Sequence, residues 1–240
     1  MNPQVKKNFH PDLSHPFYFI RKGLYTKIKK FAPRLSGDVL DFGCGAKPYR
    51  ELFLHCKSYV GVDYDAAGHN HLNEEIDFYY DGKTLPFGNE QFDGIFSSEV
   101  FEHLFTMPSI LLELNRVMKQ NGRLLITCPF VWPEHEKPYD FARYTLFALT
   151  TMLNEAGFEV IETDKSGNFF LTVHQLNTLY VDQFICSKFA VKNTFPFMAK
   201  LARKTIIPLM NVYGLLGNAI FPKNKDLYLN NILLAQKVKS

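Results

Sequence analysis

The apolar positions near the start of the chain follow a helical period. They recur every three or four residues, at Phe17, Ile20, Leu24, Ile28 and Phe31. This spacing places them on one face of an α-helix, and lysines and arginines occupy the positions between them. The pattern predicts an amphipathic helix over residues 17–31 with a basic outer face.

Short apolar runs rich in β-branched and aromatic residues predict seven β-strands. The runs are DVLDF (38–42), SYVGVDYD (58–65), IDFYY (76–80), FDGIFSS (92–98), RLLITCPF (123–130), FEVIETD (158–164) and DLYLNNILLAQK (226–237). Helical patterns lie between several of them. One runs through EVFEHL (99–104), one extends from Pro108 to a stop at Asn121-Gly122, and one covers residues 145–156.

Strands that alternate with helices at this spacing indicate crossover units. We therefore predict an α/β, Rossmann-like fold: a mostly parallel seven-stranded sheet with helices on both faces, plus a helical cap. The expected parts are an N-terminal cap (1–36), a core (37–165), an inserted cap (166–226) and the final strand of the core (227–240). Sheets of this kind bind ligands at the carboxyl ends of their strands.

The turn after the first strand, GCGAKP (43–48), contains two glycines one residue apart. Glycine lets the main chain approach a ligand closely, but several ligand classes use this device. A dinucleotide site requires G-x-G-x-x-G, and here Pro48 stands in place of the third glycine. Asp41 instead precedes the first glycine by two positions. This order disfavours an NAD(P)-dependent oxidoreductase, which remains an alternative.

With Asp41 in place, VLDFGCG resembles the first motif of the class I S-adenosylmethionine-dependent methyltransferases. The resemblance covers roughly residues 37–165 and the last strand. It implies S-adenosyl-L-methionine as the cofactor and methyl transfer, by family preference at oxygen, as the reaction. The implied cofactor-binding residues are Asp41, Gly43, Cys44 and Gly45 at the bend, Asp63 for the ribose, Asp81 and Gly82 for the adenine, and Ser97 and Ser98 for the methionine portion. A non-catalytic relative that binds without turnover is a second alternative.

One position departs from the family pattern. Many members carry a third glycine where Lys47 stands. The sequence is compatible with two positions for the Lys47 side chain, in solvent or beside the cofactor carboxylate. Pro48, the next residue, suits the first position of a helix.

The loop after the fifth strand holds the candidate catalytic residues. Methyl transfer from a sulfonium is an in-line displacement, so the protein must align the acceptor and, for a hydroxyl, remove its proton. We predict His135 as the general base, because histidine titrates near neutral pH, and Tyr139 and Arg143 as acceptor-binding residues. Arg143 equally suits a local ion pair with Asp140. His103 matches a histidine common in the family and is expected to pack near the site.

Two further histidines and the four cysteines narrow the possible class of protein. His69 and His71 have no third ligand at a useful spacing, so no metal is expected. The four cysteines form no C-x-x-C pair, and the start MNPQVKKNFHPD has no apolar signal core. These features indicate a cytoplasmic protein.

Charge is distributed unevenly along the chain. Residues 1–36 carry eight lysines and arginines against one acidic residue, residues 37–165 carry ten against 21, and residues 166–225 carry seven against one. Two basic caps favour an anionic small-molecule, glycan-linked or lipid-linked acceptor, or an acidic membrane surface. No recognised RNA-binding motif favours nucleic acid. The uncharged stretch 205–221 is interpreted first as a buried cap helix and second as a peripheral membrane contact.

Overall fold

A computed structural model of the chain describes residues 9–64, 75–186 and 196–239. Seven strands form one sheet in the order β3-β2-β1-β4-β5-β7-β6. Their bounds are Asp38–Phe42 (β1), Ser58–Tyr64 (β2), Phe78–Tyr80 (β3), Phe92–Ser98 (β4), Met118–Pro129 (β5), Phe158–Ser166 (β6) and Asn230–Lys237 (β7). Strand β7 runs antiparallel to both of its neighbours, β5 and β6, and the other pairs are parallel. The predicted mostly parallel seven-stranded sheet is confirmed.

Five α-helices accompany the sheet within the described ranges. They are Tyr18–Phe31 (α1), Met107–Val117 (α2), Leu146–Glu155 (α3), Phe169–Tyr180 (α4) and Pro196–Ile220 (α5). One apolar core joins α2 and α3 to one face of the sheet, and a second joins α1 to the other face. Because successive strand residues point to opposite faces, Ile95 belongs to the first core and Phe96 to the second.

The two cap segments pack on each other through buried amides. The Gln175 side chain of α4 accepts hydrogen bonds from the amides of Phe19 and Ile20 at 3.1 and 3.2 Å and donates to the carbonyl of Pro16 at 2.7 Å. Asn211 of α5 donates to the carbonyl of Leu13 at 2.8 Å. Gln175 thus caps the first turn of α1, whose N–H groups have no partner within the helix.

The basic outer face of α1 is largely paired within the protein. Lys27 lies 2.6 Å from the Asp164 carboxylate, and Lys30 and Arg34 lie 2.9 and 3.2 Å from that of Glu162. Both carboxylates belong to β6. Much of the positive charge that the sequence places in the first cap therefore stabilises the packing of α1 on the sheet.

Three local expectations of where helices begin and end were wrong. Helix α2 ends at Val117 instead of Asn121, which has φ 64° inside the irregular start of β5. The segment after β4 forms only a short 3₁₀ helix, Phe101–His103, because the chain turns sharply at Glu99 (φ 57°). Pro48 lies in a turn, and the 3₁₀ helix that follows begins at Arg50.

Candidate active site

The glycine bend is fixed between β1 and β2. Gly43 and Gly45 have φ of 71° and 43°, a region that side chains rarely adopt. The amides of Gly43 and Cys44 donate to the carbonyl of Val62 at 2.9 and 3.2 Å. A Cβ on Gly43 would meet the Val100 side chain at 2.3 Å. The bend therefore requires glycine and exposes main chain at the sheet edge.

Lys47 takes the place of the family's third glycine and also its backbone conformation. Its φ is 48°, and its side chain is buried in an ion pair with Asp77. Asp77 also accepts the amide of Gly61 at 2.7 Å. The placement of Lys47 in solvent is wrong, because its ammonium group is buried and paired with Asp77.

A cavity of about 500 Å³ opens at the carboxyl ends of β1, β2 and β4; we call it the first cavity. It brings together five of the predicted cofactor-binding residues, Gly43, Gly45, Asp63, Asp81 and Gly82. Tyr64, Tyr80, Val100 and Leu104 supply apolar walls. Most ligand sites combine apolar walls with a few polar groups in this way.

The two carboxylates of the first cavity are positioned by backbone amides. Asp63 Oδ2 accepts the amide of Gly45 at 2.7 Å. Asp81 Oδ1 accepts the amides of Lys83 and Thr84, each at 2.8 Å. These backbone hydrogen bonds lower the pKa of Asp81, so this side chain is a pure acceptor at neutral pH.

A second cavity of about 670 Å³ adjoins the first. The two cavities share Gly43, Gly45, Glu99 and Glu136. The second cavity has a largely apolar wall from the two caps and the loop after β5, which consists of Phe9, Phe17, Ile20, Leu24, Trp132 and Leu179. Arg21 also lines it, with its guanidinium 5.2 and 5.1 Å from the ring centres of Phe9 and Phe17.

Asp41 and Cys44 line the second cavity from below the bend. Asp41 is almost fully buried and accepts the hydroxyl of Tyr59 at 2.7 Å. Burial raises the pKa of Asp41 to about 7 and also raises the pKa of the Cys44 thiol. We therefore assign Asp41 and Cys44 a structural role in the bend and no role in the reaction.

The two serines at the end of β4 are separated by the strand alternation. Ser98 lines the second cavity, and its hydroxyl lies 2.8 Å from that of Thr127. Ser97 is fully buried outside both cavities and donates to the carbonyl of Phe42 at 2.9 Å. The structure thus places Ser97 in the sheet and not beside the methionine portion of a cofactor.

The loop after β5 is organised by Arg143. Its guanidinium donates to both oxygens of Asp140 at 2.6 and 2.7 Å and to the carbonyl of Trp132 at 3.1 Å. The expected acceptor-binding role of Arg143 does not fit, since the residue lies outside both cavities and forms the local ion pair instead. Its hydrogen bonds hold the pKa of Asp140 well below the usual range.

His135 and Tyr139 lie on different sides of the site. His135 lines the second cavity, and its Nδ1 lies 3.1 Å from Asp140 Oδ2. Tyr139 is half-exposed and lines the first cavity. The predicted base therefore faces the second cavity, and Tyr139 faces the side where the cofactor residues gather.

Sequence reasoning missed two glutamates near the site: Glu99, which lines both cavities, and Glu102, which lines neither and is buried beside His103 and His135. Glu99 accepts Thr127 Oγ1 at 2.8 Å and Asn230 Nδ2 at 2.7 Å, and burial raises its pKa to about 7. Glu102 is fully buried, which raises its pKa well above the usual value. Two acidic residues three apart in the apolar segment EVFEHL were the available signal.

Comparisons with known proteins identify a methyltransferase domain in this chain. The family model described as a methyltransferase domain matches residues 40–126 of this sequence. A probable S-adenosylmethionine-dependent methyltransferase of Mycolicibacterium smegmatis is 27% identical over 165 residues, which is 64% of this chain and 64% of the relative. The phthiotriol/phenolphthiotriol dimycocerosates methyltransferase of Mycobacterium leprae is 33% identical over 100 residues, covering 38% of this chain and 37% of that protein.

The fold is shared with solved methyltransferases. Phosphoethanolamine N-methyltransferase 2 of Haemonchus contortus, in complex with S-adenosyl-L-methionine, has a TM-score of 0.55 at 18% identity and covers 98% of this chain and 56% of its own. The methyltransferase domain over residues 40–126 and the S-adenosylmethionine-dependent relatives confirm the family and the cofactor that the motifs predict. The alignments span less than two thirds of the curated relatives' length.

Proposed function

We propose that the protein transfers the methyl group of S-adenosylmethionine to a hydroxyl of an apolar, lipid-linked acceptor. The observation that carries this proposal is the pair of adjoining cavities that share the glycine bend. The first gathers the residues suited to a nucleoside, and the second is large, mostly apolar and bordered by a histidine. A donor in one and an acceptor in the other would meet at Gly43 and Gly45.

The first cavity supplies a separate partner for each part of the cofactor. Asp63 accepts the ribose hydroxyls, and Asp81 with Gly82 meets the adenine. The cofactor's carboxylate lies at the main chain of the bend, and Ser98, which lines the adjoining second cavity, borders the methionine portion. The bend offers glycine backbone without side chains, which suits an amino-acid end better than a phosphate.

The second cavity suits an apolar acceptor that carries one anionic group. Its wall contains mainly aromatic and aliphatic side chains, and Arg21 supplies a cation among them. The relative from Mycobacterium leprae is named for the phthiotriol dimycocerosates that it methylates. We propose that Arg21 binds a phosphate or carboxylate of the acceptor and that the apolar wall binds its hydrocarbon part.

His135 is our candidate for promoting the loss of the hydroxyl proton. The carbon–sulfur bond of the sulfonium breaks with its electron pair passing to sulfur, and the same carbon bonds to the acceptor oxygen. The products are S-adenosylhomocysteine, the methyl ether and one proton. Asp140 orients the imidazole through Nδ1, an arrangement that fixes the tautomer and keeps Nε2 available.

Helix α5 offers a surface that can contact the membrane in which a lipid-linked acceptor resides. Its inner positions Ile207, Asn211, Gly214 and Gly217 are buried, whereas Leu209, Val212, Tyr213, Leu216 and Ile220 are exposed. A helix that is apolar on both sides requires a second apolar environment. Among the residues that the structure describes, no helix is long and apolar enough to cross a bilayer. We propose that α5 lies in the interface of an anionic membrane, aided by exposed Lys204, Lys223 and Lys225.

The test is methyl transfer to a fractionated cell extract. The protein is incubated with S-adenosylmethionine labelled on the methyl group, and the label is followed into lipid, glycan, protein and RNA fractions. Label in the lipid fraction, released by ether cleavage and not by mild base, is the expected result. Label confined to protein or RNA would reject the acceptor class, and no label in any fraction would reject the activity.

A further inference from the structure

Three metal-ligating side chains converge where the two cavities meet. Glu102 Oε1 lies 3.6 Å from His103 Nε2 and 3.9 Å from His135 Nε2, and the three atoms lie within 4.8 Å of one another. The two imidazole rings are edge-on with centres 4.9 Å apart. Glu102 and His103 follow β4, and His135 follows β5, so only the folded chain brings them together.

The outer nitrogen of each imidazole is already engaged. His103 Nδ1 lies 2.7 Å from the carbonyl oxygen of Tyr139. A carbonyl can only accept a hydrogen bond, so Nδ1 carries the hydrogen and Nε2 presents a lone pair.

The same argument holds for His135, whose Nδ1 lies 3.1 Å from Asp140 Oδ2. Arg143 Nη2 is 3.3 Å from this nitrogen, but its two hydrogens have nearer acceptors in Asp140 Oδ2 at 2.7 Å and the Pro133 carbonyl at 3.0 Å. Both Nε2 lone pairs therefore face the Glu102 carboxylate.

The Oε1 atom of Glu102 has no compensating donor among the described residues, whereas Oε2 lies 3.9 Å from the Cys128 thiol. The relative exposure of Glu102 is 0%. Glu136 adds another acceptor, with Oε2 3.7 Å from His103 Nε2. Buried acceptors that face one another without a donor are unfavourable unless a cation or a shared proton lies between them.

We propose that Glu102, His103 and His135 bind one divalent transition-metal ion, such as Zn²⁺ or Mn²⁺, through Oε1 and the two Nε2 atoms. Two histidines and one glutamate form a known ligand set for such ions. The hydrogen bonds from Nδ1 to a carbonyl and to a carboxylate are those that orient metal-binding histidines. Metal–ligand distances of about 2.0–2.2 Å require the three side chains to close by a fraction of an ångström.

The position of this site gives the ion a role in the reaction. His103 lines the first cavity and His135 the second, while Glu136 lines both. An ion there would hold the acceptor oxygen near the methyl group and lower the pKa of its hydroxyl, with the proton released to water. His135 would then act as a ligand and not accept the proton at Nε2. This role depends on the proposed function, whereas ion binding does not.

The competing explanation is a shared proton. A neutral Glu102 could donate its proton to one Nε2, in which case no metal binds. Metal titration of the whole protein, after treatment with a chelator, separates the two. Isothermal titration calorimetry with Zn²⁺ and absorption spectroscopy with Co²⁺ should each show one ion per chain.

The matched variants are Glu102→Gln, His103→Asn and His55→Asn. The first two should each weaken ion binding at least about tenfold, the loss expected even for a group that only orients a ligand. His55 lies beside Cys56, with its Nε2 3.6 Å from Sγ, and its variant should leave this binding unchanged. Circular dichroism identifies a variant that fails to fold, and His103→Asn, at a partly exposed position, keeps the test valid if Glu102→Gln does not fold.

The outcomes are distinct. No saturable binding to the wild-type protein, or binding that persists in Glu102→Gln and His103→Asn, would overturn the metal site. If the protein transfers methyl groups but binds no metal, the metal-site proposal is refuted and the proposed function stands. If the protein binds the metal but transfers no methyl group, the metal-site proposal stands and the proposed function is refuted.

Discussion

Asp63 Oδ2 accepts a hydrogen bond from the amide of Gly45, with 2.7 Å between the two atoms. This bond joins the end of β2 to the glycine bend after β1. It holds the proposed ribose acceptor at a fixed distance from the main chain proposed for the amino-acid end. Each carboxylate oxygen has two lone pairs, so Asp63 can keep this bond and still accept a ribose hydroxyl.

Replacing Asp63 should weaken cofactor binding. We expect Asp63→Ala to raise the Kd of S-adenosylmethionine by about 5- to 150-fold, equal to about 1–3 kcal/mol for a buried hydroxyl that loses its partner. Asp63→Asn keeps an oxygen for the Gly45 amide and separates this bond from the ribose contact. Glu159→Ala, at an exposed position of β6, is the control. Equal affinity in calorimetry for Asp63→Ala and the control would contradict the assignment.

His135→Ala should lower turnover and leave cofactor affinity nearly unchanged. Loss of a group that assists proton transfer typically costs about 100-fold or more. The measurement is the methyl-transfer rate at saturating S-adenosylmethionine, with the Kd of the cofactor determined in parallel. His55→Ala, remote in sequence from the loop after β5, should be fully active. Unaltered turnover in His135→Ala would reject a catalytic role.

Arg21→Met should affect the acceptor and not the cofactor. This substitution keeps an apolar side chain in the second cavity but removes the cation. The KM of an anionic acceptor should therefore rise at least about tenfold, the effect expected for one lost charge-assisted hydrogen bond. Lys29→Gln removes a cation from the exposed side of the same helix and should have no such effect. A KM that does not change, measured with the labelled lipid fraction as acceptor, would show that Arg21 does not bind it.

Vesicle binding tests the exposed face of α5. The wild-type protein should sediment with anionic vesicles at low salt and less at high salt, because the attraction of lysines to the surface is screened. Leu216→Glu should reduce sedimentation, whereas Leu112→Glu, on the exposed side of α2, should not. Failure of the wild-type protein to bind at low salt would exclude this surface as a membrane contact.

Asp41 should make stability depend on pH. Its pKa in the folded protein is about 7, above its ordinary 3.8, so between these values the folded state holds a proton that the unfolded chain releases. The stability from this group is fully present below pH 4 and is lost as the pH rises to about 7.

Asp41→Asn cannot lose this proton. Its free energy of unfolding, relative to the wild-type protein, should therefore increase between pH 5 and pH 8 by up to about 3 kcal/mol, since each pKa unit corresponds to about 1.4 kcal/mol. Urea unfolding at both pH values measures the difference. A difference that is the same at the two pH values would show that Asp41 titrates normally.

The sheet and the cofactor end were predictable because their signals are local. Glycine spacing and the ends of apolar runs place Gly43, Asp63 and Asp81 at one edge once the strands are parallel. The two alternatives for Arg143 stayed open because a loop side chain can pair with its neighbour or with a ligand, and the structure shows the ion pair with Asp140. Ser97 and Ser98 were predicted together although adjacent strand residues point to opposite faces, and only Ser98 lines a cavity.

The convergence of Glu102 with His135 was beyond sequence reasoning for a related reason. The two residues are separated by all of α2 and β5, and their approach depends on the path of the loop that Asp140 and Arg143 hold. The same holds for the buried amides of Gln175 and Asn211, whose partners lie in the distant N-terminal segment.

The most direct test is a crystal structure of the protein grown with S-adenosylhomocysteine. We predict that the nucleoside occupies the first cavity, with its ribose hydroxyls at Asp63, its adenine at Asp81 and Gly82, and its sulfur at the junction with the second cavity. A nucleoside bound elsewhere, or a first cavity closed by protein side chains in crystals that contain saturating ligand, would contradict the account.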